Sequence, residues 1–324
     1  MRTRNLFLLP LVVLALSACE KEITVDLPRT EQKLVVEGTI EPGQPPIVLL
    51  TRTESYFDPL DASTFSNLFV RNAVVTVSDG ITTLPLSQLC SSAIPDSLID
   101  EVAELTGLDP DLLAAADICL YSTLDPALFG VVGRTYHLDV QAEGKSLSSS
   151  TTIPNPVPLD STWFRLDESI DDNDSLGYIW ARLTDPDTAG NNYRWSARRI
   201  STYDDGSVKD ASFIAPLGST FNDDFFNGLS FDFFALRGSS PFSTADDDDN
   251  EERNYFKRED TVVVKFISLG AAEYEFYRTF ESNVLNSGDL FASPANVRSN
   301  IQGGLGVWAG LGVAYDTLVC IPVQ

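Results

Sequence analysis

Reactive side chains are few in this chain, and their spacing argues against catalysis. The 324 residues include four cysteines and one histidine. Cys19, Cys90, Cys119 and Cys320 have no CxxC spacing, and with His137 as the lone imidazole they do not make a zinc set. His137 lies in the alternating stretch Thr135 to Ala142 and reads as a structural group. No Gly-x-Ser-x-Gly elbow accompanies it, so a nucleophile–base pair is not expected. Carboxylates are abundant, 47 Asp plus Glu against 22 Lys plus Arg, which is too many to single out a hydrolytic pair. Asp246-Asp247-Asp248-Asp249-Asn250-Glu251-Glu252 and Asp171-Asp172-Asn173-Asp174 lack the alternating ligands and central glycine of a calcium loop and read as solvated loops. Asp185-Pro186-Asp187 with Asn191-Asn192 reads as a turn rich in side-chain caps. Gly303-Gly304-Leu305-Gly306 lacks the Lys-Ser/Thr of a phosphate loop, so positive φ or close backbone packing explains it better. No catalytic residue, metal or cofactor is expected.

Cys19 is the exception, because of what precedes it. Arg2 and Arg4 form a basic head, Leu6 to Leu16 is apolar apart from Pro10, and Leu16-Ser17-Ala18-Cys19 closes the segment. A basic start, a short apolar stretch and a small-residue cleavage site make an export signal and not a membrane span. The thiol at the cut resembles the lipobox of bacterial lipoproteins, where it is acylated and becomes the first mature residue. Acyl chains contribute ~0.8 kcal/mol per buried CH₂, so two or three hold a protein on a membrane. Residues 1–18 are therefore expected to be a signal peptide and 19–32 an acylated tether. Glu20-Lys21-Glu22 resembles the acidic tags that send lipoproteins to the cell surface in Bacteroidota.

The net charge of −25 becomes more negative once Arg2 and Arg4 are removed. Such a chain repels nucleic acid, because duplex binding needs a basic stripe. With Cys19 acylated, Cys90 and Cys119 bracket a segment unlike its surroundings. A disulfide between them would close a loop of about 28 residues and contribute roughly 3–4 kcal/mol by chain entropy. Cys320, inside the apolar run Leu318 to Ile321, reads as a buried strand residue.

The elements that must position these groups are mostly strands. Lys33 to Ile40, Ile47 to Thr53, Asn72 to Ser78, Thr135 to Ala142 and Ser146 to Ile153 are short, β-branched or alternating, and separated by Gly and Pro turns. This pattern predicts an immunoglobulin- or fibronectin-like sandwich over residues 33–155. A small helical insert at about 91–118 interrupts it. Its first helix follows Pro95-Asp96 and ends at Gly107, and its second opens at Asp109-Pro110. The insert reads equally as a protruding contact element or as a cap over one sheet.

Ile153-Pro154-Asn155-Pro156-Val157-Pro158 predicts a domain boundary, since alternating prolines stiffen the chain and deny a central strand. A second β-rich domain is expected over 156–324. Leu176 to Thr184 and Asn192 to Ile200 read as strands paired across Asp185 to Gly190. Thr261 to Ile267 reads as a fully buried strand. Ala271 to Asn286 reads as the main helix, with Tyr274, Tyr277, Phe280 and Val284 on one face. Val307 to Tyr315 and Thr317 to Val323 return to strand.

Ten aromatics crowd the stretch Phe213 to Phe256, among Gly, Ser, Asn and Asp. Large rigid rings beside adaptable polar groups suit protein or glycan recognition, and the same rings can equally fill a core. The candidate ligand-binding residues are Phe225, Phe226, Phe231, Phe233 and Phe234.

Several motifs together carry a resemblance. They are Leu34-Val35-Val36-Glu37-Gly38-Thr39-Ile40, then Asn72 to Val77 with Asp79-Gly80, and Thr151-Thr152-Ile153-Pro154 before Pro158-Leu159-Asp160-Ser161. Further on come Asp185-Pro186, Asn192-Tyr193-Arg194 and Asn227-Gly228. The most specific are Ser293-Pro294-Ala295-Asn296-Val297, Ser299-Asn300-Ile301 and Gly303-Gly304-Leu305-Gly306-Val307-Trp308. In this order they are similar to the Bacteroidota surface-lipoprotein family called domain of unknown function 4249, over nearly the whole mature chain. The insert is longer than the family pattern. The family has no assigned activity, and the resemblance implies a role beside TonB-dependent outer-membrane receptors, near which such proteins are often encoded. The expectation is thus a non-catalytic, lipid-anchored outer-membrane protein facing the cell surface, an accessory binder for such a transporter. The competing classes are a hydrolase of extracellular polymer and a structural or adhesive envelope protein.

Overall fold

The computed structural model describes residues 31–54, 62–99, 102–103, 110–204, 206–239, 252–286 and 296–323. Cys19 and its leader, Gly107, Phe242, the acidic run up to Glu251, Gly288 and Ser293-Pro294-Ala295 lie outside them.

The strands in chain order are β1 (Leu34–Ile40), β2 (Ile47–Arg52), β3 (Val74–Ser78), β4 (Thr83–Pro85), β5 (Ser87–Cys90), β6 (Cys119–Ser122), β7 (Thr135–Ala142) and β8 (Lys145–Thr152). They continue as β9 (Ser161–Leu166), β10 (Leu176–Thr184), β11 (Asn192–Arg199), β12 (Thr220–Asn222), β13 (Ser230–Ala235), β14 (Phe256–Lys257), β15 (Thr261–Leu269), β16 (Leu305–Gly310) and β17 (Gly312–Val319). Three α-helices are described: α1 (Ala62–Leu68), α2 (Pro110–Ala115) and α3 (Ala271–Leu285). The protein is mainly β, as the strand pattern predicts.

Two sandwiches result. In the first, the sheet β16-β1-β2-β6-β5 faces the sheet β4-β3-β7-β8. Alternation puts Tyr136, Leu138, Val140 and Ala142 of β7 inward against Val36, Ile40, Val48 and Leu50. Trp308 lies between the sheets, fully buried, and its indole N–H donates to the Tyr136 carbonyl at 3.0 Å. In the second, β9, β10, β13 and β14 form one sheet and β12-β11-β15-β17 the other. Phe164, Ile179, Ala181 and Leu183 meet Tyr193, Trp195, Val264 and Phe266 across the gap.

The two sandwiches are not successive domains of the chain. Residues 32–324 make one compact unit. The pairing explains this, because β16 returns to the first sandwich and runs parallel beside β1, with Val36 opposite Gly306 and Gly38 opposite Trp308. Gly310 ends β16, and from Gly312 onward β17 is already in the second sandwich beside β15. The prolines after Ile153 therefore mark a change of sheet. Gly306 has φ +101°, and a Cβ there would overlap the Val36 carbonyl, so the glycine motif serves close backbone packing.

Strands β10 and β11 do not form the hairpin expected across Asp185 to Gly190. They belong to opposite sheets. Asp185 is buried and accepts bonds from the Tyr193 hydroxyl and the Gly228 amide (3.0 Å for the latter). Asp223 accepts from the Gly190 and Asn191 amides, both at 2.9 Å through Oδ2. The turn thus carries the chain from one sheet to the other, and Asp185 within it and Asp223 beyond β12 satisfy amides that no ladder reaches.

Helix α3 also departs from expectation. Tyr274 and Tyr277 pack on Ile267, Leu269, Val307 and Ala309, but Phe280 and Val284 are exposed. The buried positions include Glu273, Thr279 and Glu281. Glu273 accepts from the Thr151 hydroxyl at 2.6 Å, and Glu281 from the Thr220 hydroxyl at 2.8 Å. The helix lies over the seam and ties one sandwich with each carboxylate.

Cys90 and Cys119 are joined by a disulfide. They face each other in the β5–β6 ladder, and the Ser91 amide bonds the Ile118 carbonyl at 2.8 Å, which makes theirs a non-hydrogen-bonded pair with closely spaced side chains. The helical insert beyond them packs Ile99, Val102, Ala103, Leu113 and Ala116 on Ile47, Leu49 and Leu120. It caps the outer face of β2 and β6. Cys320 is fully buried just past β17 and not within it, and burial pushes its thiol pKa up to about 12. Thr261–Leu269 alternates before it becomes continuously buried, so β15 is not buried throughout. His137 is exposed on β7, opposite Ser78 and Ser150.

Candidate functional site

The outer face of the second sandwich is aromatic. Along β10, Ile179, Ala181 and Leu183 point into the core, so Tyr178, Trp180 and Arg182 point out. Register aligns Trp163 of β9, Trp180 of β10 and Phe234 of β13 in one row across the sheet. Trp163 and Trp180 stack at 6.5 Å between centroids, and Phe234 lies 5.3 Å from Trp180 and 5.1 Å from Tyr178. Tyr255 adds a ring 5.1 Å from Tyr178. The Arg165 guanidinium sits 5.3 Å from the Trp180 ring, a cation–π distance. In the next row Arg182 grips Asp232 with two bonds of 2.6 and 2.9 Å. Rings beside fixed polar forks offer flat apolar area and directional bonds together.

A cavity opens where this face ends at the edge of the sandwich. Its volume is about 280 Å³, and Trp195, Leu217, Phe221, Phe233, Phe234 and Leu236 are among its walls. Glu281 fixes the loop on one side, accepting from the Gly218 amide at 3.1 Å and the Thr220 amide at 3.3 Å. Arg194 holds Glu281 at 3.3 Å and lies over the Tyr277 ring at 4.2 Å. Trp195 is 1% exposed, and its indole N–H has no acceptor among the described residues.

The five phenylalanines singled out from the sequence separate. Phe225 is 95% exposed at the turn before β13 and touches neither the aromatic row nor the cavity walls. Phe226, Phe231 and Phe233 pack against the second core, because the alternation of β13 turns Phe231 and Phe233 inward. Phe234 alone joins the outer row, and with Phe233 it lines the cavity. Sequence reasoning misses Trp163, Tyr178, Trp180 and Trp195. The two-residue period of Leu176 to Thr184 is the signal that could have found two of them, as it places Tyr178 and Trp180 on one face.

Other charged groups have structural partners. Arg199, fully buried, bonds Asp210 at 2.8 and 2.9 Å and also Glu252. Lys209 reaches Asp260 at 2.9 Å. Burial opposes ionisation of Glu252, but Lys209, Arg199 and Lys257 outweigh it and hold its pKa low. A second, polar cavity of about 570 Å³ is lined in part by Asp167, Glu168 and Asp172. Asp167 is held ionised by bonds from Ser169, Tyr178 and Tyr255. The carboxyls whose pKa burial raises, Glu37 and Glu273, line neither cavity. Asp117 lies close to Cys90 and Cys119, but the disulfide occupies both sulfurs.

A family model described as a domain of unknown function, DUF4249, matches residues 20–315. No curated protein matches the chain in sequence.

Proposed function

The chain belongs to the DUF4249 family, and from that premise we propose that it is a lipid-anchored outer-membrane protein that binds through its second sandwich without catalysing a reaction. Cys19 carries the anchor, and the mature chain faces the cell surface as an accessory of a TonB-dependent transporter. The observation that carries the binding role is the row Trp163–Trp180–Phe234 leading to the cavity beside Trp195. Apolar rings in this number on one solvent-facing sheet are a recognition surface in soluble proteins. Among the described residues, neither cavity gathers carboxyls with raised pKa, the arrangement that would favour a hydrolase.

Gentle solubilisation of outer membranes tests the proposal. The protein should co-purify with a transporter, and Trp180→Ala or Phe234→Ala should weaken that association by at least ~1 kcal/mol. Turnover of a polysaccharide or peptide panel, abolished by one Asp or Glu substitution in a folded protein, would replace this reading with the hydrolase. A fatty-acid probe tests the anchor separately, and equal label on Cys19→Ala and the natural protein would refute it.

A further inference from the structure

The cavity lies at the foot of an unpaired strand edge. Among the described residues, β13 is the terminal strand of its sheet and pairs on one side only, with β10. The Asp185 amide bonds the Leu229 carbonyl at 3.0 Å, which sets the phase of that ladder. Hydrogen-bonded pairs recur every second residue. Phe231, Phe233 and Ala235 therefore turn their N–H and C=O groups toward β10, and Ser230, Asp232 and Phe234 turn theirs away from it. Natural edge strands are usually blunted by proline, lysine or a bulge. β13, with the sequence Ser-Phe-Asp-Phe-Phe-Ala, has none of these.

We propose that an extended, basic segment of a partner protein adds to the free edge of β13 as a further strand and places one bulky apolar side chain in the cavity. This rests on the binding role proposed above and specifies its mode. Strand addition obtains affinity from main-chain bonds and selectivity from alternate side chains. Side chains that an added strand points inward enter the space between the sheets, where the cavity is. Its volume of about 280 Å³ and its walls of Phe221, Phe233, Phe234, Leu217 and Leu236 suit a single large aromatic or aliphatic group. Charge selects a cationic partner. The chain carries −25 overall, and Asp187 and Asp224 are exposed at the turns beside the start of β13. Lysines on the outward face of the added strand would meet these carboxylates.

The test uses the full mature protein and a capped, fluorescein-labelled peptide, Lys-Thr-Lys-Phe-Lys-Thr-Lys-Thr, read by anisotropy. Its Phe is the one apolar inward residue. Two isomers carry N-methyl groups on alternate residues, one on the odd set and one on the even. The expected result is saturable binding that one isomer loses by about five- to tenfold and the other keeps, because only one set of amides faces β13. Changing the peptide Phe to Ala should cost a similar factor. Phe225→Ala in the protein should leave binding unchanged. Equal behaviour of the two isomers overturns strand addition, and so does binding that ignores the peptide Phe. These arms leave the protein's own core intact, so misfolding cannot mimic either result. If the isomers behave alike while a transporter still co-purifies through Phe234, the binding role stands and the edge-strand mode fails. Isomer-selective peptide binding without any outer-membrane partner would sustain the edge-strand mode and refute the transporter association.

Discussion

The first core is built largely from Leu, Ile and Val, whereas the second mixes such residues with many more rings, among them Phe164, Tyr193, Trp195, Phe256 and Phe266. Both fill the space between two sheets, but they close differently. Small branched side chains interdigitate, and the first sandwich has an outer face covered by the insert, while α3 lies over the seam of both. Large flat rings meet at angles, as Trp195 and Phe233 do at 85° and Phe226 and Phe231 at 53°. Tilted plates leave gaps where a sheet ends, and the second sandwich has its cavity at such an edge. The two buried tryptophans condense the contrast. Trp308 donates to a carbonyl across the first sandwich, whereas Trp195 has no acceptor among the described residues of the second. One indole is satisfied within its own sandwich, and the other is not satisfied by the described residues.

The largest expected effect tests whether the second sandwich is weak or only open. Arg199 ends the inner row of β11, after Tyr193, Trp195 and Ala197. Arg199→Ala would leave Asp210 and Glu252 buried with fewer partners and should cost about 3–5 kcal/mol in urea unfolding. The same network sets a pH dependence. The folded pKa of Glu252 is depressed, so its stabilisation is present at neutral pH and is lost as pH falls through that depressed value. Arg199→Ala should flatten the acid limb of the stability curve.

The cross-link comes next. Replacing Cys90 and Cys119 together by Ser should lower stability by about 3 kcal/mol. If the insert is a cap, hydrogen exchange in β2 and β6 should rise with it, while exchange in β10 and β13 stays as it was. Equal loosening of both sandwiches would contradict their separate closure.

The tryptophans provide a direct comparison. Trp308→Phe removes a satisfied bond and should cost about 1–3 kcal/mol by urea unfolding. Trp195→Phe removes an N–H that already lacks an acceptor, so its cost should be smaller by about 1 kcal/mol. Equal losses would mean that the cavity beside Trp195 contributes nothing special.

A smaller effect is expected at α3. Burial raises the pKa of Glu273 despite bonds from Thr151 and Asn300. Its neutral form is the one the fold prefers, so the favourable contribution is present at low pH and is lost as pH rises through the raised pKa. Glu273→Gln keeps an acceptor for the Thr151 hydroxyl. The variant should melt above the natural protein at pH ~8 and level with it near pH ~4. Phe225→Ala, at an isolated exposed ring, should change stability by no more than ~0.5 kcal/mol.

Sequence alone determined the local pattern. β7 and β10 span the residues their alternation marks, since a two-residue period with one apolar face specifies a half-buried strand. The cross-strand cysteines and the glycines before Trp308 were also readable, because each reflects a short-range demand of spacing or backbone room. Motif order likewise identified the family. Which sheets the strands joined was decided by tertiary structure. Nothing in Leu305 to Gly310 says that it lies beside Leu34 to Ile40, because parallel pairing depends on a return across the whole chain. Asp185 reads as part of a hairpin turn until its partners, Tyr193 and Gly228, place it between sheets. Phe233 and Phe234 are adjacent and chemically identical, yet one faces the core and the other solvent. Strand phase decides that, and phase is set by the whole sheet against its core.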